Sequence, residues 1–129
     1  MTRVNVVPVD ELSDQWLIAE YRELPRCLKN SINLENAPSA YTLGKGHMKW
    51  ARKYGIYTCR RMQELIDEMK YRGFKTAYQD GLIGYLTFGM MDYIPNKKDI
   101  AVNRERLIAK YNAKPTFYRW TKRKKPFYL

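Results

Sequence analysis

Between Asp10 and Asn30 the apolar residues Leu17, Tyr21, Leu24 and Leu28 recur at helical intervals and form one narrow stripe, which predicts a first helix. Pro25 has no backbone N–H to donate and should kink it. From Ser31 to Gly46 the rhythm lapses, and Asn33, Asn36, Pro38, Gly44 and Gly46 predict a loop. It resumes from about Lys53 to Arg72, where Met62, Leu65, Ile66 and Met69 make an amphipathic second helix and Gly73 can take the left-handed stop. The glycine-punctuated apolar stretch Gly81 to Met91 supports no assignment. Pro95 and Asn96 then introduce a third helix. Asn96 is a good cap with Asp99 three residues on, Ile100, Leu107, Ile108 and Tyr111 supply the apolar face, and Asn112 and Pro115 end it. Three main helices joined by long loops, in a chain of 129 residues that is 45% hydrophobic, suit one domain spanning 1–129.

Charge changes this picture from a generic helical domain to one with a preferred partner. The formal charge is +11, from 24 Lys and Arg against 13 Asp and Glu, so a polyanion is expected, nucleic acid ahead of acidic lipid. The excess is uneven: residues 45–75 carry +6 and residues 104–129 carry +8, whereas residues 1–44 carry 4 basic and 6 acidic groups. In that weakly acidic opening Arg3, Arg22 and Arg26 read as individually placed. The tail from Pro115 to Leu129 interleaves Phe117, Tyr118, Trp120, Phe127 and Tyr128 with Arg119, Lys122, Arg123, Lys124 and Lys125. Such a segment can stack on bases while its cations neutralise phosphates, or its aromatics can close the core and leave only the cations in solvent.

Cys27 and Cys59 are the only cysteines and His47 the only histidine. That set cannot build a structural zinc site, so no metal is expected, and a histidine-based nucleophile relay is nearly excluded. His47 reads as a structural histidine. Without a secretory segment or long apolar run at the N-terminus, a reducing cytoplasm and no membrane are expected. The glycines around Lys45 are not a phosphate loop, because no Lys-Ser/Thr follows in register.

On a helical projection Gln15, Ala19, Arg22 and Arg26 lie opposite the Leu17 stripe, and Glu23 and Trp16 share one flank of that polar face. Spacing alone admits an ordinary solvated face with local ion pairs worth about 0–1 kcal/mol each. It favours that reading, and also admits a carboxylate held between two guanidinium groups and an indole.

Resemblance favours the second reading. Thr2-Arg3-Val4-Asn5, Glu11-Leu12, Asp14-Gln15 and the octamer from Ala19 through Glu20-Tyr21-Arg22-Glu23-Leu24-Pro25 to Arg26 resemble the opening of the phage pyrimidine-dimer DNA glycosylases, small repair enzymes often called endonuclease V. Leu43-Gly44, Gly46-His47, Arg72-Gly73-Phe74, Asp92-Tyr93-Ile94-Pro95 and Pro115-Thr116-Phe117-Tyr118 follow in the family's order. The resemblance implies a compact all-α domain without metal or organic cofactor, acting as a monomer on duplex DNA that contains a lesion. It implies that Thr2, exposed by removal of Met1, attacks the damaged nucleotide's sugar through its α-amine, that Glu23 is the catalytic carboxylate, and that the enzyme is both a glycosylase and an AP lyase. Arg3, Arg22 and Arg26 would grip phosphates at a kink, Gln15 would add a polar contact, and Phe117, Tyr118 and Arg119 would lie near the lesion, with Lys122 beyond them on the DNA. The nucleophile is chemically apt: an α-amine with a pKa of roughly 7.7–8.0 is on the order of 10% unprotonated at neutral pH, some hundreds of times the lysine fraction.

Two departures stand out. Trp16 occupies a position where the family carries histidine, either stacking near Glu23 or packing beside Cys27, and the loop before Leu43 is shorter. Two rival functions stay open: a related glycosylase-lyase for another modified or oxidised base, and a non-catalytic basic DNA-binding protein.

Overall fold

Ser13 starts the first helix, three residues later than the apolar stripe suggests. Its hydroxyl accepts the Trp16 N–H at 3.1 Å and caps α1, Asp14–Glu23. In the computed structural model, which describes residues 3–129, the single predicted helix from Asp10 to Asn30 is in fact three pieces. A 3-10 turn at Val9–Glu11 precedes α1, and a second, Leu24–Leu28, follows it. Pro25 donates no hydrogen bond, so the change to the tighter winding falls beside it, and the coil continues instead of breaking. Leu17, Tyr21, Leu24 and Leu28 are all buried, as their spacing requires.

The predicted loop before Gly46 is present, but a short helix follows that the pattern did not announce: α2, His47–Lys53. Seven residues are too few to display a period, and its cap is Gly46 at φ 88°, a conformation that supplies no side-chain acceptor. The second predicted helix is α3, Gly55–Arg72, ended by Gly73 at φ 92° with Phe74 N–H bonded back to the Met69 carbonyl at 2.8 Å. Residues 81–91 form a 3-10 turn, Ile83–Tyr85, and a tight turn that seats the Met90 side chain against Gly55, where a β-carbon would collide with it. The third predicted helix is α4, Lys97–Ala113, with the reciprocal Asn96–Asp99 cap in place. Among the described residues the fold is therefore all-α, with four helices, and none is long and apolar enough to cross a membrane.

Helix α3 packs against both α1 and α2, and Trp50 of α2 is fully buried among Tyr41, His47, Tyr54, Tyr57 and Tyr93. Through this core runs the start of the chain. Val4, Asn5, Val6 and Val7 are buried yet belong to no helix, so their backbone groups have no ladder to join. Side chains from every quarter serve them. His47 Nε2 accepts from the amides of Arg3 and Val4, Tyr41 donates to the Val4 carbonyl, and Tyr57 donates to that of Asn5. Asn103 Oδ1 accepts from Val6 and Val7.

Beneath this segment Glu20 and Arg61, both essentially without solvent, form a two-point ion pair at 2.8 and 3.1 Å. Arg61 also donates to the Val7 carbonyl, and Glu20 accepts from Asn5 Nδ2. The pair thereby closes a network from α1 through α3 to the chain start, and Asn103 Nδ2, bonded to Asn5 Oδ1, extends it to α4. Glu20→Gln should leave the Arg61 charge uncompensated and cost about 3–5 kcal/mol in urea unfolding. Adding Arg61→Met should recover part of that loss; a double variant no better than the single would contradict the ion-pair account.

Burial pushes His47 below the usual histidine value, against the Thr42 carbonyl, which accepts from Nδ1 and favours the charged ring. Because the unfolded state then binds protons more readily, the neutral ring's contribution is complete above pH about 6.5 and is lost as pH falls through the lower folded value. Stability of the wild type should decline across that window, and His47→Gln should lack this component of the decline in denaturant titrations between pH 7.5 and 5.5.

Candidate active site

Helix α1 divides the two carboxylates of its last turn between interior and surface. Glu20 faces Arg61 in the core, whereas Glu23, three residues on, reaches a rim where its side chain keeps 19% exposure. Its Oε2 is contacted by the Arg3 guanidinium and, at 3.2 Å, by Arg26. Arg26 is more than half exposed and Arg22 lies in solvent beside it. The structure thus gathers Arg3, Arg22, Glu23 and Arg26 on one surface. Thr2, the expected nucleophile, lies outside the described residues.

Behind this rim Cys27 is fully buried, and burial pushes its thiol up to about 12, despite the opposing Arg3 charge. It is a packed thiol, not a competing nucleophile. His47 lies inside as well, its ring bonded to the Arg3 and Val4 amides on one side and the Thr42 carbonyl on the other. The structural role expected for it is the one observed, with the added feature that what it holds is the backbone next to the rim.

The other predicted residues collect toward the opposite end of α1. Gln15 Oε1 accepts the Arg119 amide at 3.1 Å, and the Arg119 carbonyl accepts from Asp14 N–H at 2.7 Å, so the tail is fastened across the helix start. Trp16, 94% buried, packs against Tyr118 with ring centroids 4.6 Å apart and edge-on to Trp120 at 6.0 Å. The aromatic tail is therefore Trp16's packing partner. Among the described residues its indole N–H finds no acceptor. Phe117 is more than half exposed.

A groove of about 410 Å³ opens here, lined by Gln15, Trp16, Ala19, Lys110, Lys114, Phe117 and Tyr118. Burial, reinforced by the neighbouring Arg106, pulls Lys110 below the usual lysine value. Aromatic walls with ammonium groups at the edge suit a stacked base with its phosphates. A larger apolar groove of about 610 Å³, between Pro8, Ile100, Ile108 and Phe127, contains none of the predicted site residues. Size does not locate the chemistry.

Lys122 stands apart from the rest. Its exposed ammonium donates one hydrogen bond to the Tyr71 carbonyl at 3.0 Å, at the end of α3, while the adjacent Thr121 binds Asp14. Asp14 is nine residues before Glu23, roughly 13 Å along a helix at about 1.5 Å per residue. Lys122 thus lies at the far end of α1 from the Glu23 rim.

Glu20, Arg61 and Asn103 were not singled out from the sequence, though a signal existed. Each stands in the register of an apolar stripe: Glu20 with Leu17 and Leu24, Arg61 with Leu65 and Met69, Asn103 with Ile100 and Leu107. A polar residue in a buried register requires a buried partner.

The model of one family, pyrimidine dimer DNA glycosylase, matches residues 1–80. That span holds the whole Glu23 rim, Gln15, Trp16 and His47, and stops before α4 and the tail. Covering well over half of the 129 residues, with the matched segment carrying the carboxylate and its arginines, the match shows that the chain belongs to the pyrimidine dimer DNA glycosylase family.

Proposed function

We propose that this protein, acting as a single-domain monomer without metal or organic cofactor, breaks the glycosidic bond of one pyrimidine of a cyclobutane pyrimidine dimer in duplex DNA and then cleaves the strand. The nucleophile is the α-amine of Thr2, freed by removal of Met1. The observation that carries the reading is the ion pair between Arg3 and Glu23. Consecutive Cα atoms are about 3.8 Å apart, so only one residue's span separates an amine on residue 2 from the backbone position from which Arg3 reaches that carboxylate.

In the first step the amine nitrogen bonds to the anomeric carbon as the glycosidic bond breaks and its electron pair leaves with the base. The sugar ring opens to an imine, the amine losing protons in the process. Electron withdrawal by the imine then lets the adjacent sugar carbon lose a proton, and the bond to the 3′ oxygen breaks with the phosphate taking the electron pair. Glu23 stabilises the cationic sugar in the first step and carries protons in the second. Arg22 and Arg26, open to solvent, grip phosphates together with Arg3. Gln15, Phe117 and Tyr118 line the groove that receives an unstacked base, with Arg119, next in the chain and bonded to Gln15, and Lys122 on flanking DNA. Since Trp16 is packed beneath Tyr118, the stacking faces offered to a base are those of Phe117 and Tyr118.

Glu23→Gln is expected to slow base excision by on the order of 10²–10⁴-fold, with binding to irradiated duplex retained in gel-shift titrations. Undiminished excision would remove Glu23 from the mechanism. Protein beginning at Thr2 should be trapped on irradiated duplex by borohydride, and a form retaining Met1 should bind without trapping. Adducts formed only with duplex carrying oxidised bases would reassign the lesion, and no adduct with any duplex would leave a DNA-binding protein.

A further inference from the structure

The amides of Arg3 and Val4 converge on one atom, His47 Nε2, at 3.2 and 3.1 Å. The ring can accept there because Nδ1–H donates to the Thr42 carbonyl at 2.7 Å, which keeps the ring proton on Nδ1 and leaves the Nε2 lone pair free. It is also held in orientation. His47 is 2% exposed, stacks on Trp50 with planes 21° apart, and meets the edge of Tyr41 at 80°; its own amide bonds the Gly44 carbonyl at 3.1 Å. Arg3 is therefore fixed at both ends, its amide by His47 and its guanidinium by Glu23.

The later part of the buried segment has independent anchors in Tyr41, Tyr57, Asn103 and Arg61. Arg3 has no such redundancy among the bonds described: His47 alone grips its backbone, and its other tie is its own flexible side chain. We propose that His47 is a positioning residue for the amine nucleophile, its Nε2 clamping the Arg3 and Val4 amides so that residue 2 begins at a defined place relative to Glu23. This rests on the amine reading above.

Gln and Asn at position 47 separate positioning from a merely structural role. A glutamine amide reaches the place of Nε2 and can accept the two N–H groups, whereas an asparagine amide reaches only the place of Nδ1 and can serve Thr42 but not the chain start. Each variant is polar and each loses one of the ring's two attachments. The measurement is the single-turnover rate of borohydride trapping on saturating irradiated duplex, with DNA affinity and thermal unfolding followed in parallel. Because a displacement of about 1 Å at a reacting group costs on the order of 10²-fold in rate, His47→Asn should trap on that order more slowly at unchanged DNA affinity, and His47→Gln should stay within about tenfold of wild type. Equal rates for the two variants, whether both fast or both slow, would overturn the proposal. Amide hydrogen exchange on the wild type gives a test that needs no variant: Arg3 and Val4 should be protected, and exchange at the rate of an open chain would refute the clamp. No adduct from the wild type would sink the amine reading itself, and this proposal with it, whereas a trapping wild type with indistinguishable variants would sink only the role of His47.

Discussion

A backbone segment buried without secondary structure must find its hydrogen bonds elsewhere, and residues 4–7 of this protein impose that demand on the rest of the fold. An unmatched buried amide or carbonyl costs about 1–3 kcal/mol, against a total domain stability of about 5–15 kcal/mol. A few such losses would exhaust the stability of the whole molecule. The backbone partners are His47 on α2, Tyr57 and Arg61 on α3 and Asn103 on α4, with Tyr41 from the loop before α2, while Glu20 on α1 accepts from the Asn5 side chain. The helices are thus joined to one another through the chain start as well as by apolar contact.

That arrangement gives α1 two distinct jobs. One side, with Leu17 and Glu20 and then Leu24 in the 3-10 turn that follows, is committed to the core, and the other carries Arg22 and Glu23, with Arg26 of that turn, to the surface. Glu20 and Glu23 are the same residue type one turn apart, but Glu20 is neutralised by a dedicated, solvent-free arginine, while Glu23 shares its charge between Arg3 and the half-exposed Arg26. A carboxylate in the second setting can exchange partners when a polyanion arrives to claim the arginines. The opposite end of α1 is tied down by the C-terminal tail, through Asp14 to Thr121 and Gln15 to Arg119, so the aromatic groove and the Glu23 rim are carried on one rigid rod.

Much of this is legible in the chain because its signals are local. The Asn96–Asp99 cap, the Gly73 stop and the Leu17 to Leu28 stripe each involve residues within a few positions of one another, and each appears in the structure at its predicted place. Local signals also misled where two of them overlapped: the predicted helix begins at Asp10 and its stripe runs on through Leu24 and Leu28, but Ser13 and Pro25 decide where α-helical bonding begins and gives way. The short α2 was missed because seven residues contain too few turns to reveal a period.

From the residues alone came the helical class, the basic surface, the candidate carboxylate at Glu23 and the likeness of its octamer to a family of repair enzymes, since periodicity, charge and motif are properties of neighbours along the chain. Tertiary structure decided which arginines are sealed in the core and which are open to solvent. Arg61 and Arg72 are buried on carboxylates, while Arg22 and Arg26 face solvent. It also decided that a lone histidine 43 positions away from Val4 would hold the start of the chain, and that Lys122 would sit at the far end of α1 from Glu23. Those outcomes depend on which distant side chain meets an otherwise unsatisfied buried group, and a hydrogen bond between residues so far apart leaves no mark in the spacing of either.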